Sequence, residues 1–162
     1  MNERRGLIVI PGTAACLLVV LAVGGCSTGA PEDLTSTRPY ADLIGLKYSV
    51  VSDELYAYGV YDSADNRTLK YVTLVPRDLS GPEFAFRKKI PKGQTIRILR
   101  AWRHFILLDS GVYYEVELEG ADLPAAVPIR LGLSRGNAGQ GADLNPAVYT
   151  KLNAQAPTGA MK

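Results

Sequence analysis

The chain has 162 residues and a nearly balanced charge, with 18 lysines and arginines against 16 aspartates and glutamates. A formal net charge of +2 gives no general attraction for nucleic acid, so no nucleic-acid partner is expected. A single histidine and two cysteines leave little material for a metal site or for cysteine-based catalysis.

The N-terminus has the order of a secretory signal. After MNERR, an apolar run extends from Leu7 to Val23 and is interrupted only by Pro11, Gly12 and Thr13. A basic start, an apolar stretch and then small residues are typical of a cleavable signal. A membrane-spanning anchor is the alternative, but the run is shorter than the roughly 20 apolar residues that a spanning helix needs.

The end of that run, Val23-Gly24-Gly25-Cys26, resembles the lipobox of bacterial lipoproteins. The resemblance implies cleavage after residue 25 and a lipid on the Cys26 thiol, which makes Cys26 an anchor and not a catalyst. An ordinary buried cysteine in a core helix is the alternative. Two or three acyl chains hold a protein stably at a bilayer, whereas one chain is marginal. The same resemblance implies, from Ser27, an outer-membrane location facing the periplasm.

The chain divides by composition into four parts. Removal of the signal, residues 1–25, leaves 137 of the 162 residues, enough for one small domain. Residues 26–39 are small, polar and proline-containing, which predicts a lipidated cysteine and a flexible tether. Residues 40–134 carry the strand-like patterns of a β domain, and residues 135–162 contain a glycine-rich loop, a short helix and a tail.

Residues 40–134 predict an all-β domain. They contain short runs rich in Val, Ile, Leu and Tyr, and no window sustains the spacing of an amphipathic helix. Turn residues recur at spacings of about 8 to 12 residues, which favours a small barrel or a sandwich of about six to seven short strands.

A short C-terminal helix is predicted after the glycine-rich loop. Asn145 is a favourable N-cap, and the proline that follows it suits the first helical position. Such a helix would dock Val148, Tyr149 and Leu152 on the β domain.

A hairpin is predicted around Asp109 to Gly111. Pairing Leu108 with Val112 across this turn places His104 on the apolar face and sets Arg103 across from Glu117. On this register His104 is a core or rim histidine and not a catalytic one. A slip of one residue would reverse the two faces, so the register is a testable prediction.

The segment from Lys92 to Leu118, KGQTIRILRAWRHFILLDSGVYYEVEL, resembles the bacterial SH3-like domain. The shared features are a Lys-Gly turn, an alternating strand, a tryptophan and a hairpin with a glycine at its turn. The resemblance implies a small, strongly bent β-barrel and, in exported relatives, a peptidoglycan- or peptide-binding role. It transfers no binding residue, although it draws attention to Trp102.

The residue types favour a binding protein over an enzyme. With the other cysteine, Cys16, inside the signal, the mature chain has no free thiol, and no cofactor is expected beyond the covalent lipid. Glu115, Glu117 and Glu119 share one face of a strand, where a solvated surface is the expected role, rather than acid-base catalysis.

The candidate binding residues are basic and aromatic. Seven lysines and arginines lie between Arg87 and Arg103 with no acidic residue among them, a patch suited to phosphate-bearing lipid or an acidic polymer. Cross-strand pairing with the strand of Glu115 to Glu119 is the alternative. Tyrosines suit recognition of peptide or sugar, although they also serve as half-buried strand residues. The candidates are Tyr56, Tyr58, Trp102, Arg97, Arg100 and Arg103.

These features predict a lipid-anchored bacterial envelope protein whose β domain binds another envelope component: a protein, peptidoglycan or lipid phosphate. The alternative is an accessory or assembly subunit that joins a larger envelope complex through an exposed edge strand. An enzyme or an enzyme inhibitor ranks behind both.

Overall fold

The computed structural model describes residues 30–63, 66–106 and 109–152, and of residues 105, 106, 109 and 110 it describes the backbone. The predicted signal, Cys26, Ser27 and the tail from residue 153 lie outside these ranges. The strands are β1 Glu32–Asp33, β2 Lys47–Val50, β3 Tyr56–Tyr61, β4 Leu69–Val75, β5 Phe84–Lys89, β6 Thr95–Ile106, β7 Asp109–Leu118, β8 Ile129–Gly132 and β9 Tyr149–Lys151.

All nine strands belong to one sheet with the order β5-β3-β4-β8-β7-β6-β2-β9, and β1 pairs with β6. Neighbouring strands are antiparallel except for β4 and β8, which are parallel. The helical elements in the described ranges are two short 3₁₀ helices, Tyr40–Leu43 and Leu133–Arg135. The prediction of a predominantly β domain is therefore confirmed. None of the helices described is long and apolar enough to cross a membrane.

The core follows from the two-residue alternation of the central strands. On β7, Tyr114, Val116 and Leu118 are buried, and on β6 their cross-strand neighbours Ile98 and Ile96 are buried as well. Successive side chains of a strand point to opposite faces, so the residues between them lie on the other face, called here the outer face. Burial of these apolar side chains is the main stabilising term of such a fold.

The register of the β6–β7 hairpin differs from the prediction. Ile106 pairs with Asp109, so the reversal falls before Asp109 and not at the predicted Asp109 to Gly111. A bulge between Ile98 and Arg100 then shifts the pairing by one further residue. Leu108, on which the predicted pairing with Val112 depended, lies outside the described residues.

Two side-chain assignments change with this register. Arg103 pairs with Val112, and Glu117 pairs instead with Arg97. His104 pairs with Gly111 and lines a cleft on the outer face, so its predicted place on the apolar face is wrong. The reason is parity, because an odd displacement of the register moves every side chain of the shifted segment to the opposite face.

The segment predicted as a flexible tether packs on the domain from Glu32 onward. Glu32 and Asp33 pair with Arg103 and Trp102 of β6. Leu34 is only 2% exposed and belongs to the core. A leucine among small polar residues thus carries enough apolar surface to order the backbone around it.

The predicted C-terminal helix stops after one turn. The amides of Val148 and Tyr149 donate to the Asn145 carbonyl, as in the first turn of a helix. The chain then extends as β9 and pairs with β2, so the helix prediction is wrong. Val148 and Tyr149 are buried as predicted, whereas Leu152 is 39% exposed. Pairing with the open edge of β2 satisfies more backbone groups than a short isolated helix would.

Candidate binding site

A cleft of about 240 Å³ opens on the outer face, over β4, β8 and β7 and beside the end of β6. It lies on the side of the sheet opposite the core residues Val72, Leu74, Tyr114, Val116 and Leu131 of these strands. The basic and aromatic side chains that line it are Lys70, Tyr71, His104, Tyr113, Arg130 and Arg135.

Arg130 is the central cation of this cleft. Its guanidinium carbon lies 4.4 Å from the ring centroid of Tyr71 and 4.8 Å from that of Tyr113. Because Tyr71 and Tyr113 come from the strands on either side of β8, the guanidinium is stacked between the two rings. Cation–π contacts contribute about 0.5–1 kcal/mol each at exposed sites and more when they are desolvated. The stack therefore fixes the orientation of Arg130.

The stacked guanidinium has no carboxylate partner and no hydrogen-bond acceptor among the side chains and backbone groups of the described ranges. This differs from the candidate arginines Arg97 and Arg103, which form ion pairs. An arginine presents five N–H donors in a fixed fork. Arg130 is consequently a preorganised donor whose N–H groups are open to a ligand.

Two glycines shape the cleft. Gly111 lies opposite His104, and Gly132 lies opposite Tyr113. Neither glycine places a side chain over the outer face, and a Cβ added at Gly132 would meet only the Arg135 side chain, at 3.9 Å. The space left by these positions forms the floor of the cleft.

The charge of the cleft is positive. Lys70, Arg130 and Arg135 line it, and no aspartate or glutamate does so in the described ranges. Two carboxylates lie beside it: Asp62 pairs with Lys70 at 2.8 Å, and Glu115 is the cross-strand neighbour of Arg130 on the same face. Burial raises the pKa of the Tyr113 hydroxyl, although the Arg130 guanidinium opposes that shift. Tyr113 therefore keeps its proton at neutral pH.

A second, more open groove of about 460 Å³ lies between β6, β7 and the loop at residues 121–128. Its charged side chains include Arg97 and Glu117, which pair with each other. Their pairing leaves fewer charges open to a ligand than in the Arg130 cleft.

The two candidate tyrosines have different environments. Tyr56 is half-buried, and the Arg87 guanidinium lies 4.9 Å from its ring centroid. Tyr58 is fully buried, and its hydroxyl donates to Asp78 at 3.0 Å and accepts from the Leu79 amide at 2.7 Å. Tyr58 thus anchors the segment after β4 and offers no surface to a ligand.

The candidate residues of β6 do not form one site. Arg97, Arg100 and Trp102 alternate on the outer face, but none of them lines the Arg130 cleft. The Trp102 indole N–H donates to Glu115 at 3.3 Å. Arg103 pairs with Glu32 at 2.8 Å.

Carboxylates neutralise most of the predicted basic patch. Five of its seven residues form ion pairs, and only one of these pairs reaches the Glu115 to Glu119 strand. The pairs are Arg87–Asp78, Lys88–Asp122, Lys92–Asp53, Arg97–Glu117 and Arg103–Glu32. Ion pairing, the alternative to a ligand-binding patch, therefore accounts for most of these basic residues. Their carboxylate partners come from several loops and strands.

Sequence reasoning missed Arg130 and its two tyrosines. The alternation of Ile129, Arg130 and Leu131 is the signal that could have placed Arg130 on the outer face. The parallel pairing of β8 with β4, which brings Tyr71 beside it, has no local signature.

A G-x-S-x-G run was also missed, and it places Ser134 in the same cleft as His104. In hydrolases this motif joins a strand to a helix through a strained turn. Here a three-residue 3₁₀ helix follows β8, and no non-glycine residue in the described ranges has a positive φ. Ser134 and His104 form no hydrogen bond with each other, and among the described side chains no carboxylate lines the cleft to orient His104. The cleft therefore presents groups suited to binding, and Ser134 lacks the hydrogen-bonded base that would activate it as a nucleophile.

No group of three or more histidine, cysteine or acidic side chains suited to a metal ion occurs in the described part of the chain. Comparison with models of known protein families, with curated proteins and with solved structures finds no match for this chain.

Proposed function

We propose that this chain is a bacterial envelope lipoprotein, anchored through Cys26, whose β domain binds another envelope component and does not act by catalysis. The observation that carries the binding role is the stacked Arg130, held in a positive cleft with no carboxylate or acceptor partner among the described groups. Guanidinium donors left open in a concave site are typical of recognition sites for anions.

The anchor rests on the sequence Val23-Gly24-Gly25-Cys26. By the same resemblance, Ser27 favours an outer-membrane location facing the periplasm. The ligand would then be an envelope protein, peptidoglycan or lipid phosphate.

The SH3-like barrel is also part of this proposal. Support comes from β6, a twelve-residue strand that is bulged near Leu99 and pairs with β1 and β2 along one edge and with β7 along the other. Bulged strands of this kind bend strongly, as small barrels require.

Binding through the outer face is favoured over strand addition at an edge. The edge strand β5 carries Arg87, Lys88 and Lys89 in succession. Lysines and arginines on an edge disfavour pairing with another chain. This weakens the alternative of an assembly subunit that joins a complex through β5.

Intact-mass analysis of the membrane fraction tests the anchor, with wild type compared with Cys26→Ala. The expected wild-type mass is that of residues 26–162 plus lipid, with the variant unprocessed. A mass that includes residues 1–25 in both proteins would contradict the lipoprotein assignment.

Two fractionations then separate the classes of partner. A cell-wall binder sediments with purified sacculi, whereas a complex subunit co-purifies with its partner after mild detergent extraction. Ester hydrolysis that Ser134→Ala abolishes would overturn the non-catalytic assignment.

A further inference from the structure

We propose that the Arg130 cleft is a phosphate-binding site that takes the phosphoryl group of a larger phosphorylated molecule. This inference deepens the proposed function and rests on it, because it names the chemical group that the β domain recognises.

Arg130 is held in a fixed orientation with its donors open. Tyr71 and Tyr113 stack on the guanidinium at 4.4 Å and 4.8 Å, so the side chain is ordered before a ligand arrives. None of its N–H groups donates to an acceptor in the described part of the chain. A planar fork of this kind matches two oxygens of a phosphoryl group.

The cleft has an excess of positive charge. Lys70, Arg130 and Arg135 line one small space, and two carboxylates beside it offset them in part: Asp62, which pairs with Lys70, and Glu115, which lies opposite Arg130 on β7. A phosphate monoester carries about −1.5 to −2 charge at neutral pH, whereas a single carboxylate carries one. Arg130 and Arg135, for which the described ranges hold no ion pair, therefore suit a phosphoryl group better than a single carboxylate.

The cleft also offers neutral hydrogen-bond donors and enough space for a phosphoryl group. The hydroxyl-bearing side chains Thr73 and Ser134 line the same cleft and can donate to phosphoryl oxygens. The floor at Gly111 and Gly132 carries no side chain. A cleft of about 240 Å³ leaves room for part of the group that the phosphate esterifies.

Calorimetric titration of the full lipidated protein in neutral detergent tests this inference. The soluble probes are inorganic phosphate and glucose 6-phosphate, and the lipid probe is phosphatidic acid in mixed micelles. Succinate, whose two carboxylates together carry about the charge of a phosphate monoester, is the carboxylate comparison. We expect the phosphate probes to bind at least about tenfold more tightly than succinate.

Three variants locate the binding. Arg130→Lys keeps the charge but loses the fork, and it should weaken phosphate binding by about tenfold or more. Arg135→Met, on the exposed rim, should weaken it severalfold without affecting the fold. Arg38→Met is the matched control, because Arg38 is exposed and does not line the cleft, and binding should stay within about twofold.

Binding of both phosphate classes supports a general phosphoryl site, and binding of phosphatidic acid alone assigns the source to a lipid headgroup. Equal binding of succinate and phosphate, or unchanged binding by both Arg130→Lys and Arg135→Met, overturns the inference. If the lipidated protein sediments with sacculi but binds no phosphate probe, the phosphate-site inference is wrong and the proposed function stands. If the protein is unlipidated but binds phosphate, only the proposed anchor is contradicted.

Discussion

Asn137 is the polar residue on which the C-terminal part of the fold depends. It is fully buried, and its side-chain amide donates to the Leu74 carbonyl at 2.9 Å and the Gly132 carbonyl at 3.0 Å. Its side-chain oxygen accepts from the Tyr149 hydroxyl at 2.7 Å. One side chain thus joins β4, β8 and β9.

We expect Asn137→Ala to lower the free energy of unfolding by about 3 to 5 kcal/mol. The two hydrogen bonds to the Leu74 and Gly132 carbonyls are lost at about 1 kcal/mol each, and the buried Tyr149 hydroxyl left without its acceptor adds about 1–3 kcal/mol. This is a large fraction of the roughly 5–15 kcal/mol that stabilises a typical domain.

Urea denaturation followed by circular dichroism measures the effect. Gln140→Ala is the control, because Gln140 is exposed in the same loop, and its effect should stay within about 0.5 kcal/mol. In Asn137→Ala/Tyr149→Phe the orphaned hydroxyl is gone, so the double variant should cost less than the sum of the single ones. A loss below about 1 kcal/mol for Asn137→Ala, or strict additivity, would refute this reasoning.

Two further predictions concern stability. Leu34→Ala should cost about 2–5 kcal/mol in urea denaturation, whereas Leu152→Ala, on a residue 39% exposed, should cost about 0.5 kcal/mol or less; equal small losses would mean that the segment around Leu34 does not pack. Burial raises the pKa of the hydroxyls of Tyr48, Tyr114 and Tyr149, so the unfolded chain releases these protons at a lower pH than the folded chain. Stability should be unaffected by these groups below about pH 10 and fall above it by about 1.4 kcal/mol per pH unit for each tyrosine, and a flat urea midpoint from about pH 9 to 11 would contradict this.

The strands were the predictable part of the fold. Runs rich in β-branched and aromatic residues correspond to β2, β3, β4, β7 and β8, and two adjacent runs merge into β6. The two-residue β1 and three-residue β9 were missed because such short segments gain their structure from pairing with β6 and β2 and not from their own propensity. Phe84–Lys89 escaped notice because its second half is basic.

The pairing register of β6 and β7 could not be predicted from the local sequence pattern. The prediction for β6 and β7 aligned apolar residues across a turn at Asp109 to Gly111, but the bulge near Leu99 lets both strands bury apolar residues with a different alignment. A bulge changes the parity of a strand midway, so alternation holds on each side of it and fails across it. His104 therefore lies on the outer face and not on the apolar face that uninterrupted alternation predicts.

The sequence indicated which residue types form the candidate site but not where in the fold the site lies. Basic and aromatic residues were the expected binding groups, and the cleft is built from such residues, yet Tyr58 is buried and Arg97 and Arg103 are ion-paired. Whether an arginine has a carboxylate partner depends on residues distant in sequence, as Glu32 beside Arg103 illustrates. Sequence composition identifies the available cations, and only the sheet topology separates Arg130 from the paired ones.

The position of the cleft bears on which phosphate it meets under the proposed anchor. Glu32 follows Cys26 by six residues, so a lipid on Cys26 would keep β1 within about 20 Å of the bilayer. Glu32 pairs with Arg103, and the next residue, His104, lines the cleft. A short tether raises the effective concentration of any headgroup near that end of β6, an advantage that a soluble phosphate ester does not share. Even a weak intrinsic affinity for a phosphoryl group would then favour a lipid headgroup over a soluble ester.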